Sequence, residues 1–453
     1  MAFHFEGSLT AEDQRTTRVF AFEVPAGTTN VNVRLRYEPV RTEGAELPQQ
    51  INLTVNGPRG WVAEVNRAAG QFEEGTNIGP HPSAGTPPTL VEPGAWSVFL
   101  NTHRVVDVTA TFRIDVTFEA SGDEVVLPPV PEAVVPTDKG PGWYRGDLHA
   151  HTWHSDGRWG SADLVAYMRG RGLDFTTLTD HNTVTGLPEH FHLASDDLLT
   201  LGGSEMSTFH GHMLALGVHE RIEWRRPNGS RIPVPEIAAA IHAQGGLSVI
   251  CHPRNVGDPW CCGCRWEHDD MMPGNARAVE IWNGVWKEEN REGVALWQSW
   301  LSEGHRLVAT AGSDHHGMPH HVEEARRGRP AANVVYADGF TREAILAGLA
   351  RGSSYVSAGP TLRFEAVDAN GRSYRMGEVA EPGSTLRVAC AWHDVAEGAR
   401  VELVVDGRRE RLGGASMGSA AYDFAVADFR WATLEVWDDQ GAWAISNPLY
   451  GRR

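Results

Sequence analysis

Cysteine is scarce in this chain: five residues among 453, at positions 251, 261, 262, 264 and 390. An odd number so spread makes no disulfide framework for a chain of this size, and the sequence predicts free thiols. The run Cys261-Cys262-Gly263-Cys264, with His268 nearby, lacks the second Cys-x-x-Cys pair of a common structural zinc site and reads as a loop. Basic charge is also short. Lys and Arg number 40 against 58 Asp and Glu, for a formal net charge of −18, and no Lys/Arg block stands out. That balance disfavours a polyanionic partner, so no nucleic acid is expected. No stretch approaches the roughly 18 apolar residues of a membrane span. The amino-terminal MAFHFEGSLTAEDQ has neither a cationic start nor an apolar run. The expectation is a soluble, cytoplasmic protein with a small-molecule substrate and no membrane partner, its oligomeric state left open.

What is present is organisation on the scale of about three units. Residues 1–122 carry short alternating apolar runs, Thr17 to Val24, Val31 to Tyr37, Ile51 to Val55, Trp96 to Leu100 and Thr109 to Phe118, separated by Gly, Pro and Asn turns. This is the pattern of an antiparallel β-sandwich. Residues 123–142, DEVVLPPVPEAVVPTDKGPG, hold five prolines in 20 positions and read as an extended linker. From 143 to 360, apolar runs alternate with helical patterns, as in repeated β/α units of a closed or distorted parallel barrel. The expected helices are Ser161 to Arg171, Val234 to Gln244, Glu292 to Glu303 and Thr341 to Arg351. Residues 361–453 return to strands and read as a second small sandwich, with Asp406-Gly407 as a hairpin turn.

The chemistry centres on Gly146 to Gly157, GDLHAHTWHSDG. His149 and His151 stand two apart, so on a strand their imidazoles share a face, and Asp156 follows in a turn. Imidazole nitrogen and carboxylate oxygen together suit Zn, Mn or Fe, although alone the stretch also fits a polar loop. In β/α barrels the reactive side chains gather where strands end. The other candidate strands do run into polar residues: Thr179-Asp180-His181-Asn182, Gly203-Ser204-Glu205, His252-Pro253-Arg254-Asn255, Asn283-Gly284 and Ser313-Asp314-His315-His316. His212 opens its apolar run instead of closing it, and faces the site only if that segment enters from the same rim. Any one of these histidines alone is more often a hydrogen-bonded core or surface group. Burying them together with carboxylates costs heavily unless a cation offsets the charge and fixes the tautomers.

The series HxHTxxSDG at 149–157, TDHN at 179–182, Glu205, His212, HP at 252–253 and DxH at 314–316 resembles the PHP superfamily, the polymerase and histidinol phosphatase metallohydrolases. The fuller forms YRGDLHAHT, VEIWNG and GSDHH, with flanking β-domains, are most similar to its CehA/McbA-like branch. The resemblance covers roughly half the chain. It implies a distorted seven-stranded β/α barrel with two or three divalent metal ions (Zn, Mn or Fe) at its C-terminal rim. It further implies that His149, His151 and Asp314 hold one metal, with Glu205 bridging to a neighbour. Asp156, His181 and His316 would hold a second, and His212 and His252, with Glu205, a third.

Such metals lower the pKa of a shared water and stabilise charge on a substrate oxygen. The first expectation is a phosphoesterase in which metal-bound hydroxide attacks phosphorus, with Glu205, Asp314 and Arg254 as catalytic residues and Arg254 placed to clamp an anion. The second is a carbamate, amide or carboxylic ester hydrolase using the same site. Trp153, Trp159, Trp260, Trp266, Trp282 and Trp286, all near motif loops, would favour an aryl substrate if they wall a pocket, and core packing explains them equally. The third, from another class, is a metal-stabilised binding protein without catalysis. His315, His320 and His321 are candidates for a general acid only by their place beside the metal loop.

Overall fold

Alternation along Thr28–Glu38 puts Val31, Val33, Leu35 and Tyr37 on one buried face. That face meets Ile51, Leu53, Val55, Val98 and Leu100 from a second sheet. The computed structural model describes all residues except 1, 44–45, 66–72, 107–108, 122–124, 270–271, 318–327, 329 and 453. Within it the amino-terminal segment forms two four-stranded antiparallel sheets. One is ordered Ala2–Leu9, Ala110–Ala120, Thr28–Glu38, Glu73–Ile78, and the other Thr16–Val24, Gly94–Arg104, Gln50–Gly57, Gly60–Val65. Ala2–Leu9 is absent from the sequence-predicted strands; its alternation through Phe3 and Phe5 breaks at Gly7, and it lies at a sheet edge with little burial. Residues 125–141 carry no strand or helix and are fastened to the following unit, with Val134 N–H donating to Phe191 O and Thr137 N–H to Asp196.

The next strands lie side by side in chain order: Gly142–Asp147, Phe175–Leu178, Leu199–Thr208, Gly211–Leu216, Leu247–Ile250, Ala278–Asn283 and Val308–Gly312. Most are buried along their whole length, the signature of a sheet covered on both faces. Helices Ser161–Gly170, Leu187–His192, Val234–Ala243, Glu288–Ser302 and Arg342–Ala350 do part of the covering. Val234, Ile237, Ala238 and Ile241, at helical spacing, form the buried stripe of one of them. The parallel series expected from the sequence is interrupted at one strand. Gly211–Leu216 runs antiparallel to both neighbours, because Thr208 to Gly211 is a tight reversal that leaves no room for a crossover helix.

The first and last of these strands meet only beyond their ends. Asp314 N–H donates to His149 O at 2.8 Å, and His151 N–H to His315 O at 2.9 Å. Lower down, Ala332–Ala337 pairs with Gly142–Asp147 instead. There the Asn333 side chain supplies the missing main-chain partner, accepting from Ala311 N–H and donating to Ala311 O. Ala332–Ala337 then pairs with Ser354–Ser357, which pairs with Ala442–Ser446 of the carboxy-terminal segment. One of the two sheets of that last segment is therefore continuous with the central one. The other is four-stranded, ordered Ser373–Arg375, Thr361–Asp368, Thr385–His393, Gly418–Ala425. Among the described residues no helix is long and apolar enough to cross a membrane.

The shared core follows from this continuity: Trp431, Val404 and Ile445 pack in one cluster with Trp282, Trp297 and Trp300. Trp431 is fully buried. Trp431→Ala is expected to destabilise the protein by about 3–5 kcal/mol, read from urea unfolding followed by circular dichroism. A near-zero change would mean that the two segments do not share a core.

Candidate metal centre

Leu148 and Ala150 are buried in apolar clusters, so the alternate residues His149 and His151 turn together to the other side of the chain. There they meet Glu205. Its strand is longer than the sequence suggests, so Glu205 sits inside Leu199–Thr208 and not past its end. Glu205 Oε2 is 3.1 Å from His149 Nε2, 3.3 Å from His151 Nε2 and 3.0 Å from His181 Nδ1. Its Oε1 is 2.9 Å from His212 Nδ1 and 3.2 Å from His252 Nε2. The antiparallel strand explains His212: reversed, its first residues reach the rim where the parallel strands end.

Two further carboxylates complete the cluster. Asp314 Oδ1 lies 3.1 Å from His151 Nε2 and 3.4 Å from His149 Nε2. Asp156 Oδ1 lies 3.5 Å from His181 Nε2 and 3.3 Å from His316 Nε2. Asp314 and His252 adopt left-handed backbone, φ 52° and 26°, a conformation that costs a β-carbon-bearing residue and recurs at functional sites. Among the described residues, three groups have donor atoms close enough together to share an ion: His149, His151, Glu205 and Asp314; His151, Asp156, His181 and His316; Glu205, Cys251 and His252.

The donor chemistry fits cations. Three of the imidazoles have one nitrogen committed elsewhere: His252 Nδ1–H donates to Cys264 O at 2.9 Å, His316 Nδ1–H to Asp314 O at 2.8 Å, and His149 Nδ1 meets Glu280 Oε1 at 3.0 Å. Carbonyls only accept, so in neutral rings each Nε2 directs a lone pair at a carboxylate oxygen. Two acceptors face to face need either an extra proton or a metal ion. His151 Nδ1 is sealed and has no hydrogen-bond partner, while its ring stacks between His181 and His316 at centroid distances of 4.3 and 4.2 Å.

Without a cation, protons fill the gap. Burial alone would drive these imidazoles neutral, yet Asp314, Glu280 and Glu205 hold the pKa of His149 well above the ordinary histidine value. Asp156 and Glu205 likewise raise His181 to about 9, and Asp156 and Asp314 raise His316 to about 10. At His212 burial outweighs Glu205 and the pKa is lowered. The carboxyls of Glu205, Asp314 and Asp156 move the other way: burial would raise them, and the surrounding imidazoles pull them well below their usual range.

Around this cluster, several residues to which the sequence reading gave no role hold it in place. Glu280, inside the apolar run AVEIWN, accepts from His149, from His252 N–H at 3.1 Å and from Asn283 at 3.1 Å; a carboxylate in a fully buried strand was its available signal. Asp180 ties the 151–157 loop, accepting from Thr152 N–H, Thr152 Oγ1–H and Ser155 Oγ–H, each at 2.7 Å. Asp147, pushed up to about 6 by burial, fastens Ser313 beside Asp314. The Cys261–Cys264 loop also counts. The expectation of thiols fails there, since a turn brings the two Cα atoms within 5.4 Å and they form a disulfide, while Cys251, Cys262 and Cys390 stay free and buried. Gly263 has φ +80°, and a β-carbon there would stand 2.1 Å from Thr208 O and 3.1 Å from His212 Nε2. His268 pairs with Thr208 and Arg231.

Other expected residues lie outside the cluster. Arg254 is half-buried, and among the described residues none of the contacts to Glu205, Asp156 or Asp314 comes from it. His315 turns away, buried and stacked on Trp159 at 4.6 Å, which does not suit a general acid. His320 and His321 lie outside the described residues. Trp159, Trp266 and Trp282 are core residues, and Trp286 packs on Trp282 and Trp437; Trp153 and Trp260 are exposed.

No family model matches the chain. No curated protein matches it. Among solved structures it is similar to a two-domain protein from Bacteroides vulgatus containing a predicted PHP-like metal-dependent phosphoesterase, at 16% identity over 72% of this chain and 100% of that one, TM-score 0.39. It is similar also to a candidate metal-dependent phosphoesterase from Bifidobacterium adolescentis, at 19% identity over 40% and 96% of the two chains, TM-score 0.29. A third is an amidohydrolase from Chromobacterium violaceum with bound sulfate and no metal, at 16% identity over 38% and 88%, TM-score 0.29. At these identities and scores the likenesses add nothing to what the donor geometry establishes.

Proposed function

We propose that the chain is a metal-dependent hydrolase of the PHP type, in its CehA/McbA-like branch, built on a distorted seven-stranded barrel whose first and last strands join at the rim, and acting on phosphoesters. The observation that carries this is the set of buried imidazoles whose Nε2 lone pairs face shared carboxylate oxygens. His149, His151 and Asp314 would hold one ion and Asp156, His181 and His316 another. Glu205 would be shared between its two oxygens, with His212 and His252 on the Oε1 side and Cys251 adjoining. Divalent ions in such a site supply an acidified water and offset charge growing on a phosphoryl oxygen.

The chain's own residues set the rest. Glu280 and the carbonyls of Cys264 and Asp314 hold three rings in the tautomer that presents Nε2. His149, His151 and Glu205 are sealed, whereas Asp156, His316 and Asp314 retain 22%, 24% and 24% exposure, so substrate would approach over the latter three. Arg254, two residues after His252, would approach a substrate anion from the rim. A second reading, hydrolysis of an aryl carbamate, amide or ester, is favoured by Trp153, exposed within the same loop as Asp156.

Metal-loaded protein, supplied with Mn, Zn or Fe, is expected to hydrolyse p-nitrophenyl phosphate faster than 1-naphthyl acetate or a 1-naphthyl carbamate. The reverse order selects the second reading, and no turnover of any leaves a metal-stabilised binding protein. His149→Ala and Asp314→Ala should each lose bound metal by elemental analysis and more than about 100-fold in activity while keeping their circular dichroism. Full metal content in both would remove the site. Metal binding should also release protons near neutral pH. His181 and His316, raised to about 9 and 10, are protonated in the metal-free cluster, and ligation requires neutral rings. Apparent metal affinity should therefore rise as pH increases toward those values. Calorimetry in two buffers of different ionisation enthalpy reads the release, and identical heats would contradict it.

A further inference from the structure

Cys251 stands one residue before His252, where a face of the central sheet changes from apolar to polar. Its N–H donates to His212 O at 3.0 Å, which extends the antiparallel pairing of Met213 with Ile250. Cys251 is therefore opposite His212, and opposite residues of a ladder direct their side chains to the same face. Ser207 pairs with His212 on the other side, so Glu205, two residues along, shares that face as well. Beneath them Leu214, Leu216, Leu247 and Val249 fill it in one cluster with Cys251. The thiol is fully buried and forms the floor of the metal centre.

The Cys251 Sγ, one oxygen of Glu205 and one nitrogen of His252 all lie within 4.8 Å of one another. The S–H approaches Val249 O at 3.8 Å, a weak hydrogen bond that leaves the sulfur's lone pairs uncommitted. Burial, with Glu205, Glu280 and Asp314 nearby, raises the thiol's pKa well above its ordinary value, so in the metal-free cluster it keeps its proton. A divalent ion displaces that proton to solvent and takes the thiolate as a ligand. Among the described donors of the cluster this is the one sulfur. Thiolate favours zinc, whereas manganese favours oxygen donors. Three protein donors are also the number found at zinc ions that keep a position open for water.

We infer that Cys251 is a metal ligand, and that with Glu205 and His252 it makes a thiolate-containing position that takes zinc in preference to manganese. The inference rests on the metal-centre reading proposed above. The full chain loaded with Co(II) should show a thiolate-to-cobalt charge-transfer band in the near ultraviolet. C251S and C251A should lose the band while keeping the circular dichroism of wild type. C262S, which removes another buried thiol, should retain it. A thiol that only fills space would give no such band in any of these proteins. In dialysis against equal concentrations of Zn and Mn, C251S should bind zinc at least about tenfold more weakly than wild type and shift the bound ratio toward manganese. A cobalt-loaded wild type without the band would overturn the inference, as would a band that survives in C251S and C251A or an unchanged zinc-to-manganese ratio in C251S. If both variants fail to fold, the wild-type band and its persistence in C262S decide the question. A wild-type protein that binds no cobalt, zinc or manganese would overturn the reading of the centre itself, an outcome distinct because the parent is then empty.

Discussion

A single buried carboxylate, Glu205, organises the centre. Five imidazoles lie within 3.3 Å of its two oxygens, and it is 1% exposed. Leaving such a group ionised away from water is costly unless positive charge surrounds it. The protein offers rings that supply that charge only by taking extra protons, against the cost of their own burial. Metal ions would satisfy the same oxygens without that cost and use the lone pairs that Cys264, Asp314 and Glu280 direct inward.

The fold serves that arrangement in two ways. One strand is reversed, which carries His212 to the rim from the opposite chain direction and lets both oxygens of Glu205 be approached. The joint between first and last strands is made by the ligand-bearing segments themselves, 149–151 against 314–315, with Asp147 and Ser313 locking it. The site and the contact between the segments that follow the first and last of these strands are thus the same structure. Asn333 replaces main-chain pairing lower down, where Ala332–Ala337 takes the first strand toward the carboxy-terminal sheets.

Much of this was legible in the sequence because it is local. Two-residue spacing puts His149 and His151 on one face, and polar residues at successive strand ends announce a rim. Glu205 was legible as a residue, although its strand runs on past it. What was hidden depends on long-range contact. Glu280 looks like any polar interruption of an apolar strand until His149 is brought beside it. The Cys261–Cys264 loop has no metal spacing, and its value lies in a backbone carbonyl and a glycine, which side-chain patterns do not reveal. The continuity of the carboxy-terminal sheet with the central one depends on Val356 pairing with Ile445, a contact across 88 intervening residues.

The central claim is that Glu205 is a shared metal ligand, and Glu205→Gln tests it most directly, since the amide keeps the shape and loses the charge. After equilibrium dialysis against Zn or Mn, elemental analysis of wild-type protein and this variant would be compared. The account predicts that the variant loses more than one ion per chain relative to wild type, because both oxygens serve different groups of ligands. Equal metal content in the two proteins would contradict it.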